Sequence, residues 1–183
     1  MQERWTDPID KITRDFKQAF GTLTINELNW KPNLNTWSIG QNLDHLIVIN
    51  GTYHPVIEAV RLGTYKLPVL AKFDFMVSFF GRTVLQAVQA DRKKRMKTFP
   101  IWEPTKSDIK DDIWDRFEQS QIDLKRLIIS CSDLLDKGMI ISSPANKIIV
   151  YRLETAFDII VNHELRHFQQ ALDVDRLRKR QLP

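Results

Sequence analysis

The chain has 183 residues, 43% hydrophobic and 27% charged, with a formal net charge of +4; this suits one soluble domain over 1–183 and is short for two. Its single cysteine, Cys131, excludes an internal disulfide and any structural zinc site built on two or four thiolates, fits a reducing compartment, and six glycines argue against a turn-rich all-β fold. The N-terminus has no basic stretch followed by an apolar one, and the most apolar region, 67–80, is broken by Lys72 and Asp74, so a cytoplasmic location with no membrane partner is expected.

Helical periodicity then runs along the chain. Residues 4–20 carry Trp5, Ile9, Ile12, Phe16 and Phe20 at helical spacing. Residues 38–61 carry Ile39, Leu43, Leu46, Ile47, Tyr53, Val56, Ile57 and Val60, and Ser38 with Gln41 reads as a capping box at their start. Pro55 lies inside this segment, where its ring meets the carbonyl of Gly51 and is expected to bend the helix. Residues 62–106 are less regular, punctuated by Pro68, Gly81, Pro100 and Pro104, with Phe73, Phe75, Phe79 and Phe80 in the first half. They read as a long crossover carrying a short helix near 72–90; its apolar part is a dimer surface, a pocket wall or plain core.

A third helix is expected over 108–135, capped by Ser107 or Asp108 after Pro104, with Gly138 and Pro144 marking the loop that follows. Residues 152–177 carry Leu153, Phe157, Ile160, Val161, Leu165, Phe168, Leu172 and Leu177. Four long amphipathic segments predict an all-α four-helix bundle. The basic runs Arg92–Arg95 and Arg176–Arg180 have no interleaved aromatics, and read as a solvated linker and a helix C-terminus rather than a nucleic-acid surface.

The chemistry is concentrated in His163-Glu164-Leu165-Arg166-His167. Two imidazoles four residues apart share one helix face, a spacing that suits two ligands of one metal ion. The glutamate between them also matches the zinc-protease helix H-E-x-x-H. That reading needs a third ligand downstream, and no glutamate follows Glu164. Asp173 stands at the distance of the longer protease motif, but Gln170 replaces its glycine, so a continuing helix carries Asp173 about 240° away from His167. The remaining histidines, His45 and His54, are nine residues apart and face opposite sides of their helix, so at most one can join the pair. His45 with His163 and His167 would make a three-histidine site with an open position. Spacing alone does not separate such a site from a chance pair and an ordinary hydrogen-bonded histidine.

The segment Trp37-Ser38-Ile39-Gly40-Gln41-Asn42-Leu43-Asp44-His45-Leu46 resembles the second-helix signature of the DinB/YfiT-like superfamily. His163-Glu164-Leu165-Arg166-His167-Phe168-Gln169-Gln170 resembles its fourth-helix signature, and the order of elements, including Leu28-Asn29-Trp30-Lys31-Pro32, matches across nearly the whole chain. The resemblance implies an up-down-down-up four-helix bundle holding a divalent metal, typically zinc or nickel, through His45, His163 and His167. It also implies a small-molecule substrate, and either S-transfer from an external low-molecular-weight thiol of the bacillithiol or mycothiol type or metal-dependent hydrolysis. A homodimer fits the family as well. The metal would activate a coordinated water or thiol by lowering its pKa.

Around that site, Glu164 is expected to accept the free N–H of a liganding histidine. Asn42 is expected to hydrogen-bond a ligand or the third-helix backbone. Gln170 either orients substrate or water, or makes a helix–helix contact. Arg166 reads as a structural ion-pair partner, Trp30 and Trp37 as core anchors, and Cys131 as core filler. The competing reading is a non-catalytic dimeric binding or stress-response bundle in which metal is structural or absent.

Overall fold

The structure is a computed structural model that describes residues 2–89, 98–105 and 108–181. The first helix, α1 (Glu3–Phe20), buries Trp5, Ile9, Ile12, Phe16 and Phe20, the stripe that the spacing predicts. A short α2 (Ile25–Asn29) follows, opened by a Thr24–Glu27 capping box. Next comes α3 (Ile39–Arg61), which runs on through Pro55, and whose Ser38–Gln41 capping box forms as expected. The crossover carries 3-10 turns at Val69–Lys72 and Pro100–Trp102 and one helix, α4 (Asp74–Val88), where a short helix is predicted. Helices α5 (Ile113–Ser130), α6 (Ser132–Asp136) and α7 (Leu153–Gln181) complete the helical set.

Side-chain pairs fix the directions of the four long helices. Arg4 pairs with Glu154 and Asp158, Trp5 packs on Phe157 and Phe16 on Phe168, so α1 and α7 start together and run parallel. Arg116 meets Asp44 near the starts of α5 and α3, and Arg61 at the end of α3 donates to the Ser130 carbonyl at the end of α5, so α3 and α5 are also parallel. Lys17 to Glu118 and Lys125 to Asp10 set α1 antiparallel to α5. Asn42 to His167 and Asn50 to Glu164 set α3 antiparallel to α7. The result is the up-down-down-up bundle. Its two successive parallel helices, α3 and α5, require a connection as long as the bundle, and the crossover supplies it.

Among the described residues, thirty buried apolar side chains form one continuous core through the bundle, from Trp5 to Val174. Burying one leucine such as Leu43 or Leu46, both fully enclosed, contributes about 1.5–3 kcal/mol before entropy is counted. The crossover leaves a different surface. Phe73, Phe75 and Phe79 are 48%, 68% and 54% exposed along the start of α4.

The fold departs from the sequence reading on both sides of the third long helix. The stretch between the third and fourth long helices is not a plain loop. It contains a hairpin in which β1 (Ile140–Ser143) pairs antiparallel with β2 (Asn146–Arg152), Ile141 opposite Tyr151 and Ser142 opposite Val150. The β-branched and aromatic run Ile148-Ile149-Val150-Tyr151 favours a strand. The hairpin is held by Tyr53, whose hydroxyl lies 3.2 Å from that of Tyr151, and by Tyr65, whose hydroxyl accepts the Ser142 N–H.

The third long helix also starts later than expected, at Ile113, and Asp108 does not cap it; Ser107 lies outside the described residues. Residues before it are pinned in a non-helical form. The Asn29 amide accepts the Ile109 N–H at 2.8 Å and donates to the Ile109 carbonyl at 2.9 Å. Ile109 then presses on Gly40, where a Cβ would lie 2.9 Å from its Cγ1. The helix breaks at Cys131, and α6 carries on to Asp136.

The basic run at 92–95 lies outside the described residues. In the second run, Arg176, Arg178 and Lys179 pair with Asp173 and Asp175. No helix among the described residues is long and apolar enough to cross a membrane.

Candidate metal centre

Two rigid elements meet at the site. His45 sits two turns into α3, placed by the capping box that fixes where this helix begins. His163 and His167 sit one turn apart on α7, which runs antiparallel beside it. The structure brings these three together and leaves His54 out. His54 lies further along α3, in a surface depression with Glu58, Arg61 and Ser130.

The Nε2 atom of His163 lies 3.4 Å from that of His45 and 3.1 Å from that of His167. Ligand nitrogens about 2.0–2.1 Å from one ion stand roughly 3.3 Å apart at a tetrahedral angle and roughly 2.9 Å apart at a right angle. The observed spacing fits one small divalent ion. Among the described residues, this is the group of three or more histidine, cysteine or carboxylate side chains whose ligand atoms converge within 4.8 Å.

Burial sets the protonation. His45 and His167 are almost fully enclosed and His163 is partly open. Desolvation lowers the His45 pKa to about 4, against the raising effects of the Trp102 carbonyl and of Asp44. Desolvation also holds His163 and His167 well below the usual range, helped by the neighbouring imidazoles and Arg166. Three neutral imidazoles at neutral pH are in the state that binds a metal.

Each of two rings has its other nitrogen engaged. Nδ1 of His45 meets the backbone carbonyl of Trp102 at 2.5 Å, and Nδ1 of His167 meets Oδ1 of Asn42 at 2.7 Å. Asn42 thus contacts a candidate ligand, one of the two roles expected of it. Trp102 was invisible in the sequence because a backbone carbonyl leaves no side-chain signature. The segment that presents it is fastened to α3. Asp44 accepts the Thr105 N–H and an Arg116 N–H, the Gln41 amide donates to the Thr105 carbonyl, and the Trp102 indole donates to Thr52.

Glu164 sits elsewhere. Its carboxyl is fully buried, and one oxygen accepts from the amides of Asn50 at 2.8 Å and Gln121 at 3.0 Å. It ties α3, α5 and α7 together and does not take the histidine N–H expected of it; Trp102 and Asn42 do that. Its other oxygen has no hydrogen-bond partner among the described residues, and burial raises its pKa to about 7 against the two amide contacts.

Gln170 is partly exposed one turn beyond His167, outside the three-histidine group, and Asp173 pairs with Arg176. Arg166 donates to the carbonyls of Ala87 and Gln89 at the end of α4. Trp37, expected as a core anchor, instead lies half-buried on the site. Its ring is 4.6 Å from that of His45 and stacks on His167 at 5.7 Å.

Among curated proteins, no sequence match is found. Among solved structures, the chain is similar to YfiT from Bacillus subtilis, described as a probable metal-dependent hydrolase with an unusual four-helix bundle topology. The match has a TM-score of 0.58 and 15% identity, covering 97% of this chain and 87% of that one. The likeness agrees with the bundle directions found above. The model of the DinB superfamily matches residues 9–171, and the chain belongs to that superfamily.

Proposed function

We propose that His45, His163 and His167 hold one divalent metal ion, zinc or nickel, and that the chain is a metal-dependent enzyme acting on a small molecule. The observation that carries this reading is the convergence of three neutral imidazoles, with Nε2 of partly open His163 3.4 Å from that of His45 and 3.1 Å from that of His167. A bound divalent ion supplies Lewis-acid activation of water or of a thiol. The chain itself supplies the rest. The Trp102 carbonyl and Asn42 hold two rings in place, Trp37 covers one side against water, and partly open His163 marks the side from which a substrate enters.

Hydrolysis and S-transfer from an external low-molecular-weight thiol are the two reactions this arrangement supports. The description of YfiT as a probable metal-dependent hydrolase favours the first. For the second, the thiol must come from solution, because Cys131 is fully buried and burial raises its pKa. The deciding experiment is a turnover screen of the metal-loaded protein on ester and amide substrates and on electrophiles with bacillithiol-type thiols. Turnover in one panel that stops with EDTA is the expected result. No turnover in either panel, by protein shown to contain metal, contradicts the catalytic reading.

The exposed phenylalanines of α4 favour one part of the alternative, a homodimer. Phe75 and Phe79 lie one turn apart and more than half exposed. Sedimentation of wild type against Phe75→Glu/Phe79→Glu tests it, the dimer reading requiring that the double variant be the smaller species.

A further inference from the structure

The first turn of α3 contains a device that reaches beyond the helix. The Ser38 carbonyl accepts two N–H groups from one residue, the backbone N of Asn42 at 3.1 Å and the side-chain Nδ2 of Asn42 at 2.8 Å. A carbonyl can only accept, so this contact decides which end of the amide is which. The NH2 faces Ser38 and Oδ1 faces His167, 2.7 Å from its Nδ1. An amide oxygen also only accepts. Nδ1 of His167 therefore carries the hydrogen, and the lone pair of the neutral ring sits on Nε2, the atom 3.1 Å from Nε2 of His163. The same logic applies to His45, whose Nδ1 faces the Trp102 carbonyl and whose Nε2 faces His163 at 3.4 Å.

We infer that Asn42 is a positioning residue: it locks the tautomer and ring plane of His167 and so presents the Nε2 lone pair to the three-histidine centre before any ligand binds. A histidine free in water favours the opposite tautomer, with hydrogen on Nε2, so the lock reverses an intrinsic preference. Asn42 is 1% exposed and His167 5% exposed, so water does not compete for the contact. The link also ties the site to the helix start, because the Ser38 residue that caps α3 through Oγ orients the Asn42 amide through its carbonyl. The consequence for metal affinity rests on the metal-site reading; the tautomer itself does not.

Imidazole 15N shifts of the metal-free protein at pH 8 test this, and with four histidines in the chain each ring is assignable. Wild type is expected to show His45 and His167 with hydrogen on Nδ1. In Asn42→Leu, His167 should revert to hydrogen on Nε2 while His45 keeps its tautomer, and zinc affinity should fall about 10- to 100-fold. Asn42→Asp keeps an acceptor for the Nδ1 hydrogen and should keep the tautomer, at a cost in stability because a carboxylate oxygen then faces the Ser38 carbonyl. A purely structural Asn42 would lower thermal stability in the leucine variant and leave the His167 tautomer unchanged. That outcome, or hydrogen on Nε2 of His167 in wild type, overturns the inference. Should Asn42→Leu fail to fold, the wild-type spectrum and the aspartate variant still decide. Wild type that shows the tautomers but retains no zinc refutes the metal reading and supports the positioning role.

Discussion

Glu164→Gln should change how stability depends on pH, and by an amount the structure sets. The Glu164 carboxyl is fully buried between three helices, with one oxygen accepting two amide N–H groups and the other unpartnered among the described residues. Burial raises its pKa from 4.5 to about 7. The folded state therefore binds this proton more tightly than the unfolded state. The stabilisation is fully present below about pH 4.5, is lost as pH rises to about 7, and changes no further above that. The gap between 4.5 and about 7, at about 1.4 kcal/mol per pH unit, gives about 3 kcal/mol. Glutamine keeps a carbonyl oxygen for Asn50 and Gln121 and cannot titrate. Urea unfolding of both proteins with EDTA, from about pH 5 to pH 8, measures the difference. The variant should gain on wild type as pH rises and then level off. The lowered histidine pKa values weaken both proteins at acid pH alike and cancel in the comparison. A difference that stays constant with pH, or shrinks, would refute the buried-acid account.

Three further substitutions probe the frame around the site. Gly40→Ala places a Cβ 2.9 Å from Cγ1 of Ile109 and should cost about 1–2 kcal/mol by overpacking. In an Ile109→Ala background the Cγ contacts vanish but the Cβ of residue 109 remains 3.1 Å away, so the same change should cost less without becoming free, and a double-mutant cycle reads the difference. Asp44→Ala removes the acceptor of the Thr105 N–H and of Arg116. It should cost about 1–3 kcal/mol in denaturant unfolding and lower zinc affinity by releasing the segment that carries the Trp102 carbonyl. Tyr53→Phe deletes one hydroxyl of the buried Tyr53–Tyr151 pair and should cost about 1 kcal/mol by thermal melting, with metal affinity unchanged.

The residues that announce themselves in the sequence do so through side-chain chemistry at a fixed spacing. His163 and His167 share a helix face by arithmetic, and Ser38–Gln41 fixes the helix that brings His45 to meet them. The four amphipathic stripes were legible for the same reason. What stayed hidden depends on partners far away in the chain. The Trp102 carbonyl has no residue type to recognise. Glu164 could be weighed only against its neighbours on α7, although its hydrogen-bond partners, Asn50 and Gln121, come from two other helices. Ile109 keeps a helical interval to Ile113, so the helix looked longer than it is; the Asn29 clamp, 80 residues away, holds that stretch in another form. The hairpin hid because Ile148 to Tyr151 lies between two strongly periodic helices and is only a few residues long.

The most direct test is the metal content of wild type and of His45→Ala, His163→Ala and His167→Ala, each loaded with zinc or nickel, gel-filtered and analysed by mass spectrometry. The three-histidine account predicts about one ion per wild-type chain and near-complete loss in each variant, with all four proteins folded by circular dichroism. Wild type that emerges without metal, or a His45→Ala protein that retains it in full, would contradict the account.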